Sequence, residues 1–172
     1  MFRAAARSAR AGLLLVLVLI AGMAGCGGTG RDETVDGPEW RTAVRGAVGA
    51  ATRAAPARLT GMDVQERAGF DRIVIAFDGP LPGSRVSYTP AAAAGYELTI
   101  RLEHVRAAGP GAIDCGLPAI AAVHRAPPDN GRVLTTVTVA GGTRLPFRIG
   151  ITLGSFYVDV AHPGPPTRRW SH

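Results

Sequence analysis

The sequence predicts an all-β protein, an antiparallel β-sandwich of about seven to eight strands occupying Leu59–His162. Three observations carry that reading. Apolar and polar residues alternate with a period of two, the mark of half-buried strands. Clusters of Gly, Pro, Asn and Asp interrupt the alternation about every ten positions. No segment of this region sustains an apolar stripe at helical spacing. Strands with one apolar face must bury it, and a second sheet is the economical partner.

Ile73, Ile75 and Phe77 alternate toward the Asp78-Gly79-Pro80 turn. Arg85 to Tyr88 is a short strand closed by Pro90. The clearest strand is Tyr96–Glu103, where Tyr96, Leu98, Ile100 and Leu102 point one way and Glu97, Thr99, Arg101 and Glu103 the other. Ala119 to His124 alternates poorly, and Pro127-Pro128-Asp129-Asn130-Gly131 then forces a turn. Val133 to Val139 is rich in Val and Thr, which suit a pleated surface. Phe147, Ile149 and Ile151 form one face of the next strand. Gly154-Ser155 turns the chain into the last, with Phe156, Val158 and Val160 inward.

Ahead of this domain lies an export signal, residues 1–25. Arg3, Arg7 and Arg10 precede the apolar run Leu13–Ile20, and Ala21-Gly22-Met23-Ala24-Gly25 leads to Cys26. The apolar stretch from Ala11 to Gly25 is 15 residues, short of the ~20 a spanning helix needs. The small residues before Cys26 resemble a lipobox, the site read by the bacterial lipoprotein signal peptidase. Met23 stands where Leu is usual, a change that conserves size and polarity. The resemblance implies lipidation of Cys26 and a protein anchored by its acyl chains to the extracytoplasmic face of the cell membrane. Two or more acyl chains suffice for a stable anchor where one does not.

Residues 26–58 read as the lipidated Cys and a flexible tether. Gly27-Gly28-Thr29-Gly30-Arg31-Asp32 is polar and Gly-rich. Between Asp36 and Pro56, Trp40, Val44 and Val48 fall at i, i+4 and i+8, and Pro38 suits a first helical turn, so a short helix competes with the tether. Gly46, Gly49 and the lack of a strong apolar stripe favour the tether. Its Arg41, Arg45, Arg53 and Arg58 face anionic headgroups, wall phosphates or simply water. Residues 163–172 read as a disordered tail.

Composition excludes little. All 19 basic residues are Arg, and the formal charge of +6 falls to +3 once the three signal arginines are removed. A basic stripe with interleaved aromatics, the footprint of nucleic-acid binding, is missing. With Cys26 assigned to lipidation, Cys115 is left alone and reads as an inert structural thiol, an intermolecular partner or a reactive group.

No catalytic motif emerges: there is no HExxH, GxSxG, phosphate-binding Gly loop or CxxC. His104, His124, His162 and His172 lack metal-ligand spacing, so neither a metal nor a cofactor is expected. Glu97 and Glu103 share a strand face but stand roughly 20 Å apart, too far for an acid–base pair. Asp71-Arg72 and Asp159 lie on the two end hairpins. Such charges make ion pairs or turn hydrogen bonds. If the hairpins are adjacent, they also make a polar binding spot from Asp71, Arg72, Arg148, Tyr157 and Asp159.

Two stretches carry a resemblance. Ala68–Gly83, reading AGFDRIVIAFDGPLPG, is similar to the opening hairpin of the AMIN-like domain of actinobacterial lipoproteins. Leu145–Ile149 followed by Phe156–His162 resembles that domain's closing hairpin, with Gly154-Ser155 where a proline is expected. The resemblance covers roughly Leu59–His162, although Ala91–Gly142 matches in strand pattern alone. It implies a β-sandwich of the cell envelope, associated with peptidoglycan binding and localisation. The leading expectation is a non-catalytic envelope lipoprotein that binds peptidoglycan or another envelope component. An accessory lipoprotein acting on an envelope enzyme or transporter by protein contact is the alternative. A third class, an enzyme with an unrecognised site, would need a pocket gathering Ser, His and a carboxylate.

Overall fold

The computed structural model describes residues 40–92, 94–106 and 111–164. The expected signal peptide, the lipidation at Cys26 and the tail from residue 165 lie outside the described residues. Among those described, eleven strands follow one another: β1 (Arg45–Ala47), β2 (Ala57–Arg67), β3 (Phe70–Asp78), β4 (Gly83–Pro90), β5 (Tyr96–Glu103), β6 (Val105–Arg106), β7 (Gly111–Asp114), β8 (Ile120–Arg125), β9 (Arg132–Val139), β10 (Phe147–Thr152) and β11 (Ser155–Ala161). They make two sheets, in the orders β1-β4-β5-β9-β8-β7 and β10-β11-β3-β2-β6. Every pairing is antiparallel except the short β2–β6 contact. The fold is all-β and sandwich-like.

One apolar core joins the inner faces of the two sheets. Ile73, Ile75, Phe77, Phe147, Phe156 and Val158 enter it from one side, and Val86, Leu98, Ile100, Leu102, Val133 and Val137 from the other. The period-two alternation of β3, β5, β9 and β11 supplies this core directly. The expected apolar face of β10 runs off its edge: Phe147 is buried and Ile149 packs partly, while Ile151 at the hairpin tip is 45% exposed.

Eleven strands replace the expected seven or eight because the four additions are short or out of phase. In β2 a bulge lies between Leu59 and Gly61, so inward residues switch from Ala57 and Leu59 to Val64. A bulge between Ile120 and Ala122 likewise lets Ile120 and Val123 both face inward, which is why β8 alternates poorly in sequence. Strands β1, β6 and β7 span only three, two and four residues.

The tether reading fails for residues 40–58. Arg41 exchanges backbone hydrogen bonds with Phe147 at 3.0 and 2.8 Å, which extends the β10 edge. The chain then crosses to the other sheet, where β1 pairs with β4 from Arg45↔Val86 to Ala47↔Ser84. Gly46 and Gly49 are there because the backbones touch. A Cβ would stand 2.7 Å from the Ser84 carbonyl at position 46 and 2.2 Å from the Gly83 nitrogen at position 49. No helix forms, so Trp40, Val44 and Val48 do not share a helical face.

Candidate functional site

Strand register brings the two end hairpins together. β11 lies between β10 and β3, with Asp159 opposite both Arg148 and Arg72. Residues 72, 148, 157 and 159 consequently share the outer face of the five-stranded sheet, away from the core. Asp71 does not join them. One residue out of phase with Arg72, it points inward.

Asp159 is the centre of the outer cluster. Its carboxylate has no solvent exposure and accepts a fork from Arg72, Nε to Oδ1 at 2.6 Å and the guanidinium NH2 group to Oδ2 at 2.9 Å. Arg148 Nε donates to the same Oδ2 at 2.8 Å. Such two-point pairing fixes orientation as well as distance. Aromatic faces surround both guanidiniums. The Arg72 guanidinium lies 4.3 Å from the Tyr157 ring centre and 5.4 Å from that of Phe70. That of Arg148 lies 4.8 Å from Trp40 and 5.2 Å from Phe70. The negative ring faces attract the guanidiniums.

Three residues outside the expected five are integral here. Phe70 points outward yet is buried, because Trp40 covers it at 5.7 Å between ring centres. The indole N–H of Trp40 is buried and finds no acceptor among the described residues, while its ring packs on Phe70 and Arg148. Gly150 opposite Tyr157 completes the arrangement. A Cβ at that position would meet the phenol oxygen at 2.1 Å, so the tyrosine ring lies across the bare glycine backbone. Beside the cluster, β2 contributes a polar row in which Gln65 donates to Asp63 at 2.8 Å and Arg67 donates to Gln65.

Asp71 performs a different task. Fully buried, its Oδ2 accepts from the Ala119 and Ile120 backbone N–H groups at 2.7 and 3.0 Å, and His162 Nε2 donates to Oδ1 at 2.9 Å. It ties β3 to the start of β8 in the opposite sheet and to the residue after β11. A buried carboxylate with three donors is a satisfied one. His162, scattered in sequence, is therefore part of this staple.

Among the described residues no group of three or more His, Cys, Asp or Glu stands where it would hold a metal ion. Cys115 is half-buried, its Sγ 3.9 Å from the Ile113 carbonyl. No family model, curated protein or solved structure matches the chain.

Proposed function

We propose that this chain is a non-catalytic cell-envelope lipoprotein, anchored through Cys26, whose β-sandwich binds peptidoglycan or another envelope component. The observation that carries the reading is the surface built by Trp40, Arg72, Arg148 and Tyr157 around buried Asp159. Aromatic rings braced by guanidinium contacts form a stiff, amphipathic surface that loses little conformational freedom on binding. Apolar faces of sugar rings and the amides of a wall peptide suit such a surface. The hairpins that build it are the two stretches with AMIN-like resemblance, which supports the same reading. Between Cys26 and Trp40 stand 13 residues, so the domain sits at most about 50 Å from its anchor.

Exposed Ile151 and Leu153 at the β10–β11 tip favour the second reading, an accessory lipoprotein that docks on an envelope enzyme or transporter. Co-sedimentation with purified wall sacculi separates the two, since only the first requires retention on wall alone. The anchor has its own test. Intact mass of membrane-extracted protein should exceed the Cys26–His172 polypeptide by a diacylglycerol or more, and Cys26→Ser should accumulate as unprocessed precursor. Fully soluble wild-type protein with an unmodified N-terminus contradicts the anchor.

A further inference from the structure

At the opposite end of β2, about 30 Å from the aromatic surface at strand rise, the chain makes an abrupt corner. β5 ends at Glu103 in the six-stranded sheet and β6 begins at Val105 in the other, so His104 alone makes the crossing. It does so at φ +55°, in the left-handed region. Its carbonyl accepts from Ala57 N–H at 2.9 Å, and Val105 N–H is bound to the Gly131 carbonyl at 3.0 Å. The corner is therefore rigid. Glycine is the unstrained residue for such a backbone, and a chain that keeps an imidazole there retains strain for a side chain that faces solvent.

That side chain borders a cleft of about 530 Å³ lined by Arg53, Pro56, His104, Val105, Arg106 and Asn130. A contiguous hollow shares Arg53, His104 and Asn130 and adds Arg132 and Glu103. Arg53, Arg106 and Arg132 are exposed, and among the described residues none has a carboxylate at ion-pair distance. The acids nearby are engaged: Glu103 pairs with Arg101 at 3.2 Å, and Asp129 accepts from Asn130 Nδ2 at 2.9 Å. Beyond Glu103 a further hollow is lined by Arg45, Arg85 and the paired Arg101 and Glu103. Three guanidiniums, an imidazole and an amide, with an apolar floor of Pro56 and Val105, outnumber the one lining carboxylate, Glu103, which is paired with Arg101. Guanidinium forks match the oxygens of phosphate.

We propose that this corner cleft is a phosphate-binding site that takes a phosphodiester, with Arg53, Arg106 and Arg132 supplying charge and His104 a directed N–H. The site is independent of the aromatic surface, and either one stands if the other fails. Phosphodiesters reach an envelope protein either as anionic lipid headgroups or as wall polymer, and both present the same group to the cleft.

The full chain would be titrated with inorganic phosphate and followed by backbone and arginine side-chain NMR. Saturable shifts are expected at His104, Val105, Gly131 and the three arginines, and not with chloride at matched ionic strength. Combined Arg53→Ala, Arg106→Ala and Arg132→Ala should weaken binding at least about tenfold, the factor set by ~1.4 kcal/mol. Arg144→Ala, whose guanidinium stacks 4.0 Å from Tyr96 instead, should leave it unchanged. His104→Gly should weaken phosphate binding without lowering thermal stability, since it relieves the backbone. Phosphatidylglycerol vesicles and soluble poly(glycerol phosphate) then distinguish the source, and retention by either, lost in the triple variant, supports the site. Equal phosphate response in the triple variant, shifts spread over the whole basic surface, or binding of neither phosphodiester overturns it.

Discussion

Arg72 and Asp159, 87 positions apart in the chain, meet as a two-point ion pair across the β3–β11 register, with the carboxylate wholly removed from solvent. The relationship decides what the cluster costs to disturb. Asp159 accepts from two guanidiniums, so its removal takes away the carboxylate that Arg72 and Arg148 share. Asp159→Ala should destabilise the fold by about 3–5 kcal/mol, as loss of one partner of a buried charge cluster does. Chemical denaturation checks this, and a loss under about 1 kcal/mol would mean the cluster is not held as described.

The core contains one removable defect. Thr135 is fully buried among apolar side chains, and among the described residues its hydroxyl has no hydrogen-bond partner. Valine has the same branched shape without the polar atom. Thr135→Val should stabilise the protein by about 1 kcal/mol, the desolvation penalty recovered. Destabilisation would show that the hydroxyl is satisfied.

The two faces of the sheets should respond differently to truncation. Ile75 is 1% exposed at the middle of β3, and Ile75→Ala should cost on the order of 2–4 kcal/mol, transfer loss plus cavity. Thr99 points outward, its Oγ1 3.0 Å from that of Thr89 in an exposed pair. Thr99→Ala should cost under about 1 kcal/mol. Denaturation midpoints of the two variants check the ordering.

Much of the fold is legible in the sequence. Inward and outward residues of β3, β5, β9 and β11 follow from alternation alone. Adjacency of the two end hairpins was a conditional reading, and the β3–β11–β10 register supplies it. Asp71 shows the limit of that reading: it neighbours Arg72 in sequence but faces the core, because neighbours on a strand point to opposite sides. Trp40 and β1 were hidden for another reason. A segment that adds to sheet edges by backbone pairing needs glycines where chains touch, and Gly46 and Gly49 look like linker residues when no partner is in view. Phe70 and Gly150 left no signal at all, since what makes them matter is Trp40 above one and Tyr157 across the other.

Alkaline pH offers a probe of the sandwich edge. Tyr88 donates to the Leu145 carbonyl at 2.6 Å, and burial pushes its pKa from 10.0 up to about 12, against the opposing charge of Arg144. The folded value lies above the unfolded one, so the stabilising contribution is whole below pH 10 and is lost as pH rises through about 12. Stability measured by urea unfolding should fall more steeply between pH 10 and 12 in the wild type than in Tyr88→Phe. Parallel curves would contradict a buried neutral phenol.

Sedimentation with sacculi distinguishes wall binding through the aromatic surface from adventitious charge. The unlipidated chain should begin at Gly27, because a start at Leu59 would delete Trp40 and β1. It would be incubated with purified sacculi at low salt and again near ~0.5 M, where exposed charges are screened within a few ångströms. Retention at both salts is predicted, with loss in Trp40→Ala and Tyr157→Ala proteins whose circular dichroism remains that of the wild type. Retention only at low salt, or at neither, contradicts the claim.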